Sequence, residues 1–115
     1  MKIPMQGGVE TLAFTPATGI TNFNNRTRVV KSGNTVTAII SIKTSSAVTT
    51  THMDVFTLDN TQLAPADSVY ACAFCSGALI ALTMNSSGKL SIQVAYGTHS
   101  GTSGIFGEIT WTVGS

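Results

Sequence analysis

RTRVVKSGNTVTAIISIK, residues 26–43, sets two β-rich arms around a short polar segment, Lys31-Ser32-Gly33-Asn34. Gly33 supplies the positive φ that a tight hairpin turn needs. In the second arm Val36, Ala38, Ile40 and Ile42 share one face, while Thr35, Thr37, Ser41 and Lys43 take the other. Ile39 breaks the pattern by placing an apolar side chain on the polar face. These residues predict the central hairpin of an antiparallel β-domain.

The same pattern recurs in both directions. Residues 9–14 predict a first strand, closed by Thr15-Pro16-Ala17-Thr18-Gly19, and residues 20–25 an Asn-rich connection. Residues 53–58, 68–75, 78–84, 89–96 and 106–113 read as further strands, with turns at Ser76-Gly77 and Asn85-Ser86-Ser87-Gly88. Pro65 excludes a central strand in the connection before residue 68. In residues 89–96, Leu90, Ile92, Val94 and Tyr96 alternate with Lys89, Ser91, Gln93 and Ala95. The expectation is an all-β domain of about eight strands, a sandwich, jelly roll or small barrel, over residues 9–115. Residues 1–8, with Pro4 and a Gly pair, read as a lead-in or linker.

Composition narrows the function. With 115 residues the chain is one domain with a core of its own. Charged residues are 10% of the chain and the formal net charge is +1, where an ordinary soluble domain carries about 25% charged residues. No basic field is present to attract nucleic acid. No apolar run approaches the ~20 residues of a membrane-spanning helix, and Lys2 is followed by no apolar signal-peptide core. A neutral, Thr- and Ser-rich surface suits an extracellular or virion protein, or a subunit that covers its surface in an oligomer.

In order, the chain presents the Arg28–Lys31–Gly33–Asn34–Val36 hairpin, a Leu63-x-Pro65 connection and an apolar strand pair. An Asn85-Ser86-Ser87-Gly88-Lys89 turn, a Gly-rich loop at 97–104 and a closing strand through Trp111 complete it. That order resembles the C-terminal head domains of tail-fibre, baseplate and receptor-binding proteins of phages infecting Gram-positive bacteria, the lactococcal phage receptor-binding heads in particular. The likeness covers most of the chain after Val9. It implies a homotrimer of β heads on a stalk in the virion, in contact with other virion structural proteins and binding a host cell-wall saccharide. The family's sugar sites use outward polar and aromatic side chains near protomer boundaries, often with a carboxylate and a histidine or tryptophan. Here Ala81 and Thr83 stand where more polar residues are expected, which leaves a purely structural fibre or capsid-attached trimerisation domain as one alternative. A carbohydrate-binding module or adhesin domain of a secreted protein is another.

The candidate ligand-binding residues are Thr83, Gln93, Tyr96, His99 and Trp111. His99 sits in a Gly-rich loop able to close over a ligand, although a loop histidine is more often simply solvated. Trp111 could stack on a sugar ring, but shares parity with the apolar Ile109 and Val113, which points to the core. Gln93 faces opposite to Leu90, Ile92, Val94 and Tyr96 and could bond a sugar or a neighbouring subunit. Ile39, Ala71, Ala73, Ala78, Ala81 and Thr83 put small or apolar groups on faces that one core need not consume, and so predict a trimer interface.

No cofactor, metal or catalytic residue is expected. Cys72 and Cys75 lie three residues apart in a β-run, a span of ~10 Å, too far for a disulfide. No second CxxC pair exists to complete a zinc site. The five acids, Glu10, Asp54, Asp59, Asp67 and Glu108, are scattered, and the two histidines have no nucleophile-elbow pattern beside them.

Overall fold

A computed structural model of the chain describes residues 9–101 and 103–113. Residues 1–8, read above as a lead-in, and Thr102 of the Gly-rich loop lie outside that description. Among the described residues, ten antiparallel strands form one sheet that curls into a nearly closed barrel. They are β1 (Glu10–Leu12), β2 (Phe14–Pro16), β3 (Ile20–Asn22), β4 (Arg28–Ser32) and β5 (Thr35–Thr44), then β6 (Met53–Leu58), β7 (Val69–Cys75), β8 (Ala78–Met84), β9 (Lys89–Gly97) and β10 (Ile105–Thr112). The other regular segments described are two single 3-10 turns, Phe23–Asn25 and Thr61–Leu63.

The hairpin at residues 26–43 forms as its alternation requires. Ser32 pairs with Thr35, leaving Gly33 and Asn34 as a two-residue turn with Gly33 at φ 60°, the position a II′ hairpin turn reserves for glycine. Val36, Ala38, Ile40 and Ile42 are buried, whereas Ile39 faces outward and is half-buried. β3 continues the line of β4 along the same edge of β5. At the break between them the Thr27 hydroxyl substitutes for the missing ladder partner. It donates to the Ser41 carbonyl (2.6 Å) and accepts from the Ser41 N–H (3.0 Å).

The strands follow one another around the barrel as β1-β4-β5-β10-β7-β8-β9-β6-β2. The stretch expected as a single first strand divides at Ala13: β1 pairs with β4 and β2 with β6. It therefore bridges the two edges of the sheet, and the Ala13 carbonyl accepts the Asp59 N–H at that seam (3.1 Å). Closing the sheet removes edges that would otherwise pair with other chains. Inside lie Phe56, Ile80, Leu82, Met84, Leu90, Ile92, Ile105 and Ile109, all fully buried.

One irregularity overturns the expected parity of β9. Leu79 pairs with Tyr96 and Ile80 with Val94, so Ala95 is an extra residue, a β-bulge. Beyond it the alternation is reversed. Tyr96 leaves the apolar face of Leu90, Ile92 and Val94 and points to solvent.

Candidate functional site

The bulge and the regular pairing of β7, β8 and β9 assemble an outward face from side chains far apart in sequence. Its first row crosses four strands, Phe106 to Phe74 to Leu79 to Tyr96. The third row runs Tyr70 to Thr83 to Ser91 to Asp54. Between them lies a row of smaller groups, Cys72, Ala81 and Gln93. Tyr96 is 80% exposed, Tyr70 73%, Phe74 62% and Leu79 42%. From Tyr70 to Tyr96 the outward positions of β7 and β8, and those of β9 beyond Lys89, carry no formal charge.

The two outer rows differ in chemistry. The first is apolar and continues past Phe106 to Phe23, whose ring centroid lies 6.0 Å away, and ends where the Lys43 ammonium sits 4.5 Å from the Phe23 centroid. The other is a bed of hydrogen-bonding groups with one exposed aromatic ring. His52 Nδ1 is 3.4 Å from Ser91 Oγ, and Asp54 Oδ2 is 3.4 Å from Lys89 Nζ. Serine, histidine and aspartate thus meet here, but the carboxylate is held by lysine rather than by histidine, so the base lacks the orienting acid of a triad. A shallow, open groove of about 430 Å³ lies between residues 65–69 and 110–112, and no side chain of the Tyr70 row lines it. Thr110 lines it, and its hydroxyl is 3.0 Å from that of Thr37.

The residues expected to bind ligand are divided by this arrangement. Thr83, Gln93 and Tyr96 lie on the outward face, in three different rows. Trp111 does not: it is 3% exposed, and its indole N–H donates to the Leu63 carbonyl (2.8 Å). His99 does not either, for it is 3% exposed rather than a solvated loop residue. The Val48 N–H donates to its Nδ1 (2.9 Å), so that nitrogen carries no proton and Nε2–H faces the Ser103 carbonyl (3.1 Å). His99 ties the 98–104 loop to the 45–52 loop. A groove of about 310 Å³ passes between residues 47–50 and 97–99, but both ring nitrogens are already engaged.

Removing His99 takes the partner from the buried Val48 N–H and from the part-buried Ser103 carbonyl. His99→Ala is expected to cost about 2 kcal/mol in urea unfolding. His99→Asn should recover part of that loss, since its side-chain oxygen can accept the Val48 N–H. Equal losses for the two variants would show that the Nδ1 bond contributes nothing.

The expected interface residues divide too. Ile39 and Ala81 face outward. Ala73 is fully buried, and a Cβ on Gly107 would lie 2.6 Å from its own, so Ala73 is spent on the close approach of β7 to β10. Ala71 and Ala78 are half-buried and pack against the core. The alternation of β7 turns Val69, Ala71, Ala73 and Cys75 inward and Tyr70, Cys72 and Phe74 outward. Both cysteines are free. Burial pushes the Cys75 thiol above its ordinary range, and its sulfur lies 3.7 Å from the Ala78 carbonyl.

Tyr70, Ser91, His52 and Asp54 were absent from the sequence-derived candidates. Strand register alone unites them, with β6 beside β9 although residues 59–88 separate them in sequence. Among the described residues no group of three or more His, Cys, Asp or Glu side chains could hold a metal, and no buried side-chain nitrogen or oxygen lacks a partner. No protein-family model matches the chain, and no curated protein matches it.

Proposed function

We propose that this domain is a non-enzymatic head of a phage tail fibre or baseplate, homotrimeric in the virion, that recognises a saccharide on the host cell surface. The observation that carries the saccharide part is the Tyr70 row. A sugar offers an apolar ring face and a rim of hydroxyls. Tyr70 offers an exposed ring for the first, and Thr83, Ser91, His52 and Asp54 offer donors and acceptors for the second. The aromatic, the histidine and the carboxylate are the residue types that the resemblance to receptor-binding heads calls for.

The test is binding of the purified domain to whole Gram-positive cells and to their extracted wall polysaccharide. Tyr70→Ala is expected to weaken binding at least about tenfold, equivalent to 1.4 kcal/mol, with the unfolding curve unchanged because the ring makes no core contact. Unaltered binding by the variant would remove Tyr70 from the site. Absence of binding by the wild type to every polysaccharide offered would favour a structural fibre tip, a reading that the apolar first row also supports.

A further inference from the structure

We infer that His99 is a pH-sensitive latch: its neutral ring holds the 98–104 loop to the 45–52 loop, and its protonated ring releases them. The inference stands apart from saccharide binding and from assembly.

The direction of each hydrogen bond at the ring is fixed by its partner. A backbone N–H can only donate, so Nδ1 is the acceptor for Val48. A carbonyl can only accept, so Nε2 carries the proton toward Ser103. A second proton turns the ring into a donor at both nitrogens. That proton would stand between Nδ1 and the Val48 N–H, and an attraction becomes a contact of two donors. His99 and Val48 are both buried, so the freed N–H and the new charge reach water only if the loops part.

Nothing that faces the ring offsets that charge. The groove beside it is lined by residues 47–50, Val94, Gly97 and Thr98, none of them ionisable. The 45–52 loop ends in His52, whose Nδ1 is 3.4 Å from Ser91 Oγ, and follows Lys43, whose ammonium sits over the Phe23 ring. On β9, Tyr96 points to solvent. The turn that accepts the Thr98 N–H follows Cys75, whose sulfur lies by the Ala78 carbonyl. Neither loop contains a carboxylate.

The release is local, because bonds that do not titrate pin both loops. The Gly19 carbonyl accepts the Ser45 N–H (2.8 Å), the Thr49 carbonyl the Val94 N–H (2.7 Å) and the Gly77 carbonyl the Thr98 N–H (3.0 Å). Between these anchors the loops meet backbone to backbone, where a Cβ on Gly101 would lie 3.2 Å from the Ala47 nitrogen. Parting them there uncovers Val48, a side chain of the core. The closed form binds one proton fewer than the open form. It therefore prevails above the ordinary histidine range, about pH 6.5, and gives way as the pH falls through it.

The experiment follows the Val48 amide and the His99 ring by NMR of the whole isotope-labelled chain, from about pH 7.5 to about pH 5. The exchange protection of the Val48 amide is expected to fall at least about tenfold over that interval, as His99 Nδ1 gains its proton. The Ile80 and Leu82 amides, in the middle of β8, should keep theirs. His99→Asn offers Val48 an acceptor that does not titrate, so its Val48 protection should hold throughout. His52→Gln removes the other histidine and should respond as the wild type does. Constant Val48 protection in the wild type overturns the inference. So does a response that survives in His99→Asn or vanishes in His52→Gln. If the asparagine variant does not fold, the wild-type ring decides: a His99 that stays neutral while Val48 loses protection refutes the latch.

Discussion

Trp111→Ala should lower the unfolding free energy by about 3–5 kcal/mol, the range for removing a buried tryptophan. Against the 5–15 kcal/mol typical of a whole domain, that leaves the fold marginal. Trp111 is buried on β10 and its indole N–H holds the Leu63 carbonyl of the connection between β6 and β7. Truncation therefore opens a cavity and also frees that connection, whose Pro65 is buried beside the strand. Trp111→Phe separates the two effects. It keeps most of the apolar volume and loses only the hydrogen bond, so its expected cost is about 1–2 kcal/mol. Urea unfolding of both variants checks this. A Trp111→Ala loss below about 1 kcal/mol would mean that the ring is not part of the core.

Gly97→Ala is expected to cost about 2–4 kcal/mol, for two separable reasons. Gly97 has φ 87°, a region that costs a residue with a Cβ roughly 1–2 kcal/mol. In addition, a Cβ there would overlap the Gly77 carbonyl oxygen and stand 3.0 Å from the Ala78 Cα, both backbone atoms. Crowding of this kind typically adds about 1–3 kcal/mol. The Gly77 carbonyl also accepts the Thr98 N–H (3.0 Å), so relief by movement breaks a turn bond. Gly33→Ala is the control, because φ is 60° there but nothing lies within 4 Å. Its loss should be only the conformational part. If the two glycine variants lose equal stability, the overlap at Gly97 is relieved without cost.

The elements of the barrel were legible where one periodicity ran unbroken. The Gly33 turn, β5, β7, β8 and the start of β9 all follow from alternation and glycine placement, with bounds within a residue or two. Three features were not legible, each for a physical reason. Ala95 is an ordinary residue in an ordinary strand, and only the facing strand reveals that it is one too many. The division of the first strand at Ala13 depends on two partners that approach from opposite edges of the sheet. His99 is buried because a distant loop brings Val48 to it, which a local run of Gly, Thr and Ser does not announce. The candidate site suffered in the same way. Thr83 and Gln93 face outward as their parity predicts and Tyr96 does so against its parity, while Tyr70, Ser91, His52 and Asp54 come together only in the folded chain.

The position of β10 bears on the order in which the domain can be completed during synthesis. β10 lies between β5 and β7, and apart from the short clasp of residues 10–16 it is what joins the β4–β5 hairpin to the β7–β8–β9–β6 block. A growing chain completes both blocks, the second at Gly97, before it carries the strand that unites them. Until residues 105–112 emerge, β5 and β7 each present an unpaired border, and such borders on incomplete chains invite association with the wrong partner. Chains cut short anywhere before residue 105 are thus expected to accumulate as aggregates rather than as smaller folded domains, since they lack the strand that lies between the two blocks.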